Sequence, residues 1–211
     1  LTSSSENTKI NLIGSGELTV TQTSDTTYAG ITTGSGNLIK SGANSLTLSN
    51  NNAHSGNMTI SEGALTVTGT LSDQLDIVIS AGVYNVNADD AVKSISSAPD
   101  SGGGSINIAN GITLIERGHN KTYAGAIAGD GTFRHTGGNV TLSGTNTVAN
   151  VTITGGTVDV SGTLSDTAAV SVSSGAVYKV SNSDQVGSIT GAGFINLESG
   201  QTLSAGSTES T

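Results

Sequence analysis

The sequence predicts an all-β chain wound as a right-handed parallel β-helix, a β-solenoid of about ten coils with no significant helix. Three observations predict it. Apolar residues alternate with polar ones over three or four positions, and Gly, Asn or Ser breaks the alternation every few residues. The chain says nearly the same thing twice, about 94 residues apart, which is the mark of a solenoid or array. The Asn-Gly and Asp-Gly pairs of two-residue hairpins are few, so successive strands have little means of turning back on one another.

In chain order the clearest strands are Leu18-Thr19-Val20, Leu46-Thr47-Leu48, Met58-Thr59-Ile60, Leu65-Thr66-Val67, Ile77-Val78-Ile79, Tyr84-Asn85-Val86, Ile106-Asn107-Ile108 and Ile112-Thr113-Leu114. The second half supplies Val140-Thr141-Leu142, Val151-Thr152-Ile153, Val158-Asp159-Val160, Val170-Ser171-Val172, Tyr178-Lys179-Val180 and Phe194-Ile195-Asn196-Leu197. Each triplet puts two apolar side chains on one face and a polar one on the other. Such strands are too short for stable isolated hairpins. Stacked at about 4.8 Å they share one interior column, and at roughly 20 residues per coil the rod is on the order of 50 Å long.

The repeat fixes the organisation. Thr27-Tyr28-Ala29-Gly30 returns as Thr122-Tyr123-Ala124-Gly125, and Gly69-Thr70-Leu71-Ser72-Asp73 as Gly162-Thr163-Leu164-Ser165-Asp166. A third, partial copy aligns Ile10-Asn11-Leu12 with Ile106-Asn107-Ile108 and Ile195-Asn196-Leu197. The chain therefore reads as one continuous solenoid: the end of an upstream repeat over 1–20, one unit over 21–114 and another over 115–211. Asn87 to Asp90 reads as a turn, and Pro99 with Gly102-Gly103-Gly104 as a corner insertion that the second unit shortens to Gly191-Ala192-Gly193.

Composition narrows the function. Without cysteine, neither disulfides nor thiolate metal sites hold the chain. With no tryptophan and two phenylalanines, the core is narrow and built on Val, Ile, Leu and Ala. Seven Lys and Arg against sixteen Asp and Glu give a net charge of -9, which disfavours nucleic acid and an electrostatic grip on anionic membranes. No apolar run is long enough to span a bilayer, so this segment is not expected to insert into a membrane. With Leu1 at its start it is read as part of a longer protein, with end coils expected to associate end to end.

Gly34-Ser35-Gly36-Asn37-Leu38-Ile39-Lys40-Ser41-Gly42-Ala43-Asn44-Ser45-Leu46-Thr47-Leu48-Ser49 is similar to the heart of the autotransporter-associated β-strand repeats of large bacterial surface proteins. Gly63-Ala64-Leu65-Thr66-Val67 and Gly156-Thr157-Val158-Asp159-Val160 resemble the strand that closes each such repeat. The second copy departs from the pattern, with Arg134-His135 in place of Ile39-Lys40. The resemblance implies a passenger or adhesin segment, secreted or displayed on the cell surface and anchored through another part of the parent protein. It implies no catalytic residues.

Parallel β-helices also carry polysaccharide-active enzymes, whose chemistry needs clustered carboxylates. Asp89-Asp90 is the adjacent acidic pair, and a solvated corner accounts for it; only Asp90 has a counterpart, Asp184. Asp73 and Asp166 recur at one place in the two units, as turn aspartates capping backbone amides would. Gly129-Asp130-Gly131 is not iterated, so calcium has no support. His54, His119 and His135 lack metal-ligand spacing and read as surface residues. Arg117, His119, Lys121, Arg134 and His135 form a modest basic neighbourhood, read as ordinary solvated edges. Tyr84 and Tyr178 share strand parity with valines and read as core, whereas Tyr28 and Tyr123 stay open between core and sugar-stacking platform. The Asn-x-Thr triplets at Asn57, Asn120, Asn139 and Asn150 are assigned no function.

The sequence thus gives no catalytic, cofactor-binding or metal residues and no cofactor. It predicts an elongated adhesive or display stalk in cell-surface or cell-cell attachment. Its partner would be a host or cell-surface glycan or protein, or other copies of the passenger. The alternatives are a pure spacer and, behind it, a polysaccharide-active enzyme. Ice binding needs ranked Thr arrays, for which the spacing is too irregular.

Overall fold

Short Val, Ile, Leu and Thr segments suit a pleated, half-buried surface, and each is too short to stand except against a neighbour. The computed structural model describes residues 1–206. Among them there is no helix, and every strand pairing is parallel.

The chain climbs as a three-sided prism. The first face stacks Glu17–Thr21, Asn37–Ser41, Asn57–Ile60, Asp76–Ile79 and Ser94–Ser97, then Lys121–Tyr123, Asn139–Leu142, Thr157–Val160, Val177–Val180 and Phe194–Leu197. Its two halves meet at a seam where the Ala124 amide donates to Ser97 Oγ at 2.7 Å. The second face is a six-stranded sheet made of Thr26–Tyr28, Ser45–Leu48, Ala64–Val67, Val83–Val86, Ser105–Ile108 and Ala126–Ala128. It continues through irregular segments bridged at Thr145 and Thr163 to Asp184–Val186 and Leu203–Ala205. The third face starts with Lys9–Leu12 and Ile31–Gly34 and passes through irregular segments bridged at Asn51 and Thr70. It then becomes a six-stranded sheet of Asp90–Val92, Thr113–Glu116, Thr132–His135, Asn150–Ile153, Ala169–Val172 and Ser188–Gly191. The result is a parallel β-solenoid of about ten turns, as the sequence predicts.

Register turns the alternation into a core. Leu46, Leu65, Tyr84, Ile106 and Ile127 stand one above another and are essentially fully buried. Each such side chain contributes roughly 1.5–3 kcal/mol by leaving water, and each coil finishes the enclosure of the one below. All four tyrosines are core, which decides the open pair. The Tyr28 hydroxyl turns back over its own corner, donating to Thr8 O at 3.3 Å, and lies against Gly30. A Cβ on Gly30 would stand 2.6 Å from that hydroxyl, and one on Gly125 2.5 Å from the Tyr123 hydroxyl, so Tyr-Ala-Gly is a packing unit.

The repeat does not close on a whole number of turns. From Thr26–Tyr28 to its match Lys121–Tyr123 the chain advances by twelve strands and two irregular face segments, which at three faces to a turn is four and two-thirds turns. Matching residues therefore occupy different faces: Thr47 lies on the second, its match Thr141 on the first. At the last coil Ile195 and Leu197 are 42% and 47% exposed, so apolar surface is open there.

Candidate functional site

Inward positions are not all apolar. Lys40 follows Leu38 at strand parity, so its side chain enters the interior and is fully buried. Its ammonium donates to the carbonyls of Ser41 at 3.0 Å, Gly42 at 2.8 Å and Glu62 at 3.0 Å, which accounts for all three protons. Burial pulls its pKa down and the Glu62 carboxylate pushes it back up. The lysine of the repeat motif is a clip between two coils at a corner.

The second unit solves the same corner differently. His135 stands where Lys40 stands in the first unit, fully buried, with Nδ1 2.6 Å from Glu116 Oε2 and Nε2 3.3 Å from Gly138 O. Glu116 is buried directly below it in register, and its other oxygen accepts the Gly118 amide at 2.8 Å. The expectation of a surface His135 is corrected: parity with Phe133 carries it inward.

His54 is likewise buried rather than exposed; His119 is exposed. Asn52 Oδ1 accepts both the amide and the hydroxyl of Thr32 at 3.0 Å, so the 2.7 Å contact of Thr32 Oγ1 with His54 Nδ1 assigns the ring proton to Nδ1. Nε2 is left with no partner. Burial pushes His54 down to about 4. Asn52 and its match Asn146 fill an irregular face segment, where their amides replace the missing ladder: Asn146 Oδ1 accepts the Ile127 amide at 3.0 Å and its Nδ2 donates to Thr163 O at 3.1 Å. Sequence reasoning passed over both residues, although their recurrence between the units was visible.

The Asp89-Asp90 corner also needs correction. Asp89 is exposed and accepts the Thr113 amide at 2.8 Å, while Asp90 heads a strand and is 5% exposed. Asp90 accepts from the Leu71 amide and the Tyr84 hydroxyl, each at 2.9 Å. Burial pushes Asp90 up to about 6 against the pull of those donors. Its counterpart Asp184 accepts the Leu164 amide at 2.9 Å, but the buried Tyr178 hydroxyl finds no partner. Tyr84→Phe is therefore expected to lower stability by about 1.5–3 kcal/mol, whereas Tyr178→Phe leaves it unchanged or raises it. Urea melts of the two variants check this, and equal losses would refute it.

Asp73 and Asp166 do not cap the turns where they recur; the preceding serines do. Ser72 Oγ accepts the Gln74 amide and Ser165 Oγ the Thr167 amide, both at 3.2 Å. Asp73 pairs with Arg117 on the surface. Two surface grooves differ in chemistry. One of about 280 Å³ is lined by Thr70, Leu71, Asp73, Asp89, Asp90 and Ile115, and its three carboxylates are all engaged as described. The other, about 670 Å³, is lined by Thr2, Ser3, Ser4, Ser5, Thr27 and Ala29 and holds no ionisable side chain. Among the described residues, no three His, Cys, Asp or Glu side chains converge as a metal site requires. The basic neighbourhood is dispersed: Arg117 is paired with Asp73, His135 is inside, and Arg134 and Lys121 face solvent.

What the rod offers outward is columns. Thr27, Thr47, Thr66, Asn85 and Asn107 stand in register on the second face. Thr122, Thr141, Asp159, Lys179 and Asn196 do so on the first, where Lys179 pairs with Asp159 at 3.0 Å.

Residues 38–67, the stretch from Leu38 past the Lys40 clip to Val67, match the family model described as passenger-associated-transport-repeat. No curated protein and no solved structure matches the chain. That family belongs to secreted or surface-displayed proteins. A transport repeat of passengers within the chain, carried on a parallel β-solenoid, supports one reading, that of an autotransporter passenger repeat segment.

Proposed function

We propose that this segment is an elongated stalk of a surface-displayed passenger, held to the cell through another part of the parent protein, and that its outward faces take part in attachment. The observation that carries the reading is the division of labour between the two sides of the strands. The ionisable groups inside close corners and coil contacts, while the outside presents registered columns of hydroxyl and amide side chains. Columns of this kind make many weak contacts, and multiplicity raises their combined strength.

Binding of the folded chain to a broad glycan array and to intact cells, beside a denatured control, tests the proposal. Saturable binding that needs the fold is the expected result. Silence on both would leave a pure spacer, with attachment elsewhere in the parent.

A further inference from the structure

Asn110-Gly111 is the one Asn-Gly pair in the sequence, and it sits at the corner between Ser105–Ile108 and Thr113–Glu116. The Ile112 amide donates to Ala109 O at 3.0 Å and Gly111 has a φ of 75°, so Ala109 to Ile112 form a type II turn. Among the described residues the Gly111 amide donates to nothing. Asn110 and Gly111 are both exposed, and a Cβ on Gly111 would meet no atom within 4 Å. Ala109 to Ile112 link the two faces here, whereas Asn87 to Asp89 suffice one coil below and Gly129 to Gly131 one coil above, so this corner is the longer one and its tip projects.

We propose that Asn110 is a site of spontaneous deamidation in the folded chain, and that its product is a new carboxylate on an intact rod. The Gly111 nitrogen attacks Asn110 Cγ and closes a five-membered succinimide. The new C–N bond replaces the bond to Nδ2, which leaves as ammonia with the proton given up by the Gly111 amide. Water then opens the ring at either carbonyl, to aspartate or isoaspartate. One water is consumed and one ammonia released. The attacking amide must be free, because one held in a hydrogen bond reacts only after local opening. It also reacts fastest in glycine, which has no Cβ to crowd the ring. Elsewhere these conditions fail. The Ser45 amide, after Asn44, donates to Asp25 Oδ1 at 2.8 Å. The Gly131 amide, after Asp130, donates to Ile108 O at 3.2 Å, and the Ser101 amide, after Asp100, to Ala98 O at 3.2 Å. Asn182 precedes Ser183, whose Cβ hinders closure and whose hydroxyl is tied to Gln201 and to the Thr202 amide.

The isoaspartyl product lengthens the main chain by a methylene, which a tip packed against nothing absorbs. Asp89 and Asp130, both exposed, stand at the same corner one coil below and one coil above. Deamidation therefore completes a run of three carboxylates on a chain whose net charge is already -9, and the charge of this corner comes to depend on the protein's age.

The test keeps the folded chain at pH 8 and 37 °C beside a synthetic peptide of residues 105–116. After denaturation, trypsin cuts behind Lys93 and Arg117 and isolates Asn110 in the fragment 94–117. The expected result is a gain of about 1 Da in that fragment. Its rate should lie within about threefold of the free peptide's, and Asn44 and Asn182 should convert at least about tenfold more slowly. Enzymatic methylation should detect isoaspartate in the same fragment. Asn110→Gln, whose longer side chain closes a ring far more slowly, should remove the gain and keep the native urea midpoint. An unaltered fragment when the peptide has half converted overturns the proposal. So does faster conversion of Asn44 or Asn182, or a urea midpoint that falls as the chain ages. None of these readouts involves binding, so the result stands or falls apart from the attachment reading.

Discussion

Glu116→Val is expected to lower the free energy of unfolding by about 3–5 kcal/mol, the cost of leaving one member of a buried polar pair without its partner. Valine fits the space: the first unit carries Val20 at the matching place, directly below Lys40. The loss comes from His135, whose Nδ1 would face an apolar wall, and from the Gly118 amide, which would lose its acceptor. Glu116→Val with His135→Lys transplants the first unit's solution and is expected to recover at least half of the loss, because a lysine ammonium can donate to three corner carbonyls, as Lys40 does, where the histidine ring meets only that of Gly138. Urea midpoints of the two single variants and the double, read as a cycle, give the coupling directly. A single-variant loss below about 1 kcal/mol would mean that the pair adds nothing beyond packing.

The second large effect is a pair of opposed pH dependences. His54 titrates near 4 in the fold against 6.5 in the unfolded chain. As pH falls through that window the unfolded chain takes up a proton that the folded one refuses, so stability drops by about 1.4 kcal/mol per pH unit, or about 3 in all. Asp90 titrates near 6 against 3.8 unfolded. There the folded chain takes up the proton first, and stability rises by about 3 kcal/mol as pH falls from about 6 to 4. In the native chain the two nearly cancel. Thr32→Ile with His54→Val installs the pair that the second unit uses, Ile127 and Val148, both buried, and should leave a protein that gains stability toward pH 4 relative to the native chain. Asp90→Asn should lose stability over the same range. Urea midpoints at pH 7, 6, 5 and 4 decide it, and profiles that run parallel to the native one in both variants would rule it out.

How much of this the sequence shows depends on which signal is followed. Alternation places Leu46, Leu65 and Tyr84 in one column because a strand's period is a property of its backbone, and the parallel stack follows from repeat order and the lack of hairpin turns. Residue type misleads where parity is right. His135 and Asp90 sit two positions from Phe133 and Val92, so their strands carry them inward, yet as ionisable residues they read as surface. What overrides that expectation is a set of partners drawn from other coils: Glu116 for His135, and Tyr84 with the Leu71 amide for Asp90. The orphaned Tyr178 hydroxyl is legible only in three dimensions, since its sequence neighbourhood copies that of Tyr84.

A unit of four and two-thirds turns gives the repeat a screw sense of its own. In an array of such units, each unit points a given side chain a third of a revolution away from its predecessor, and the original bearing returns after fourteen turns, roughly 67 Å at about 4.8 Å per turn. A plane laid along the rod would therefore read one unit in three, and three planes could read the same rod without competing for a residue. The long spacing along any one side is set by arithmetic between the unit and the turn, and one further strand in each unit would make it five whole turns and erase it.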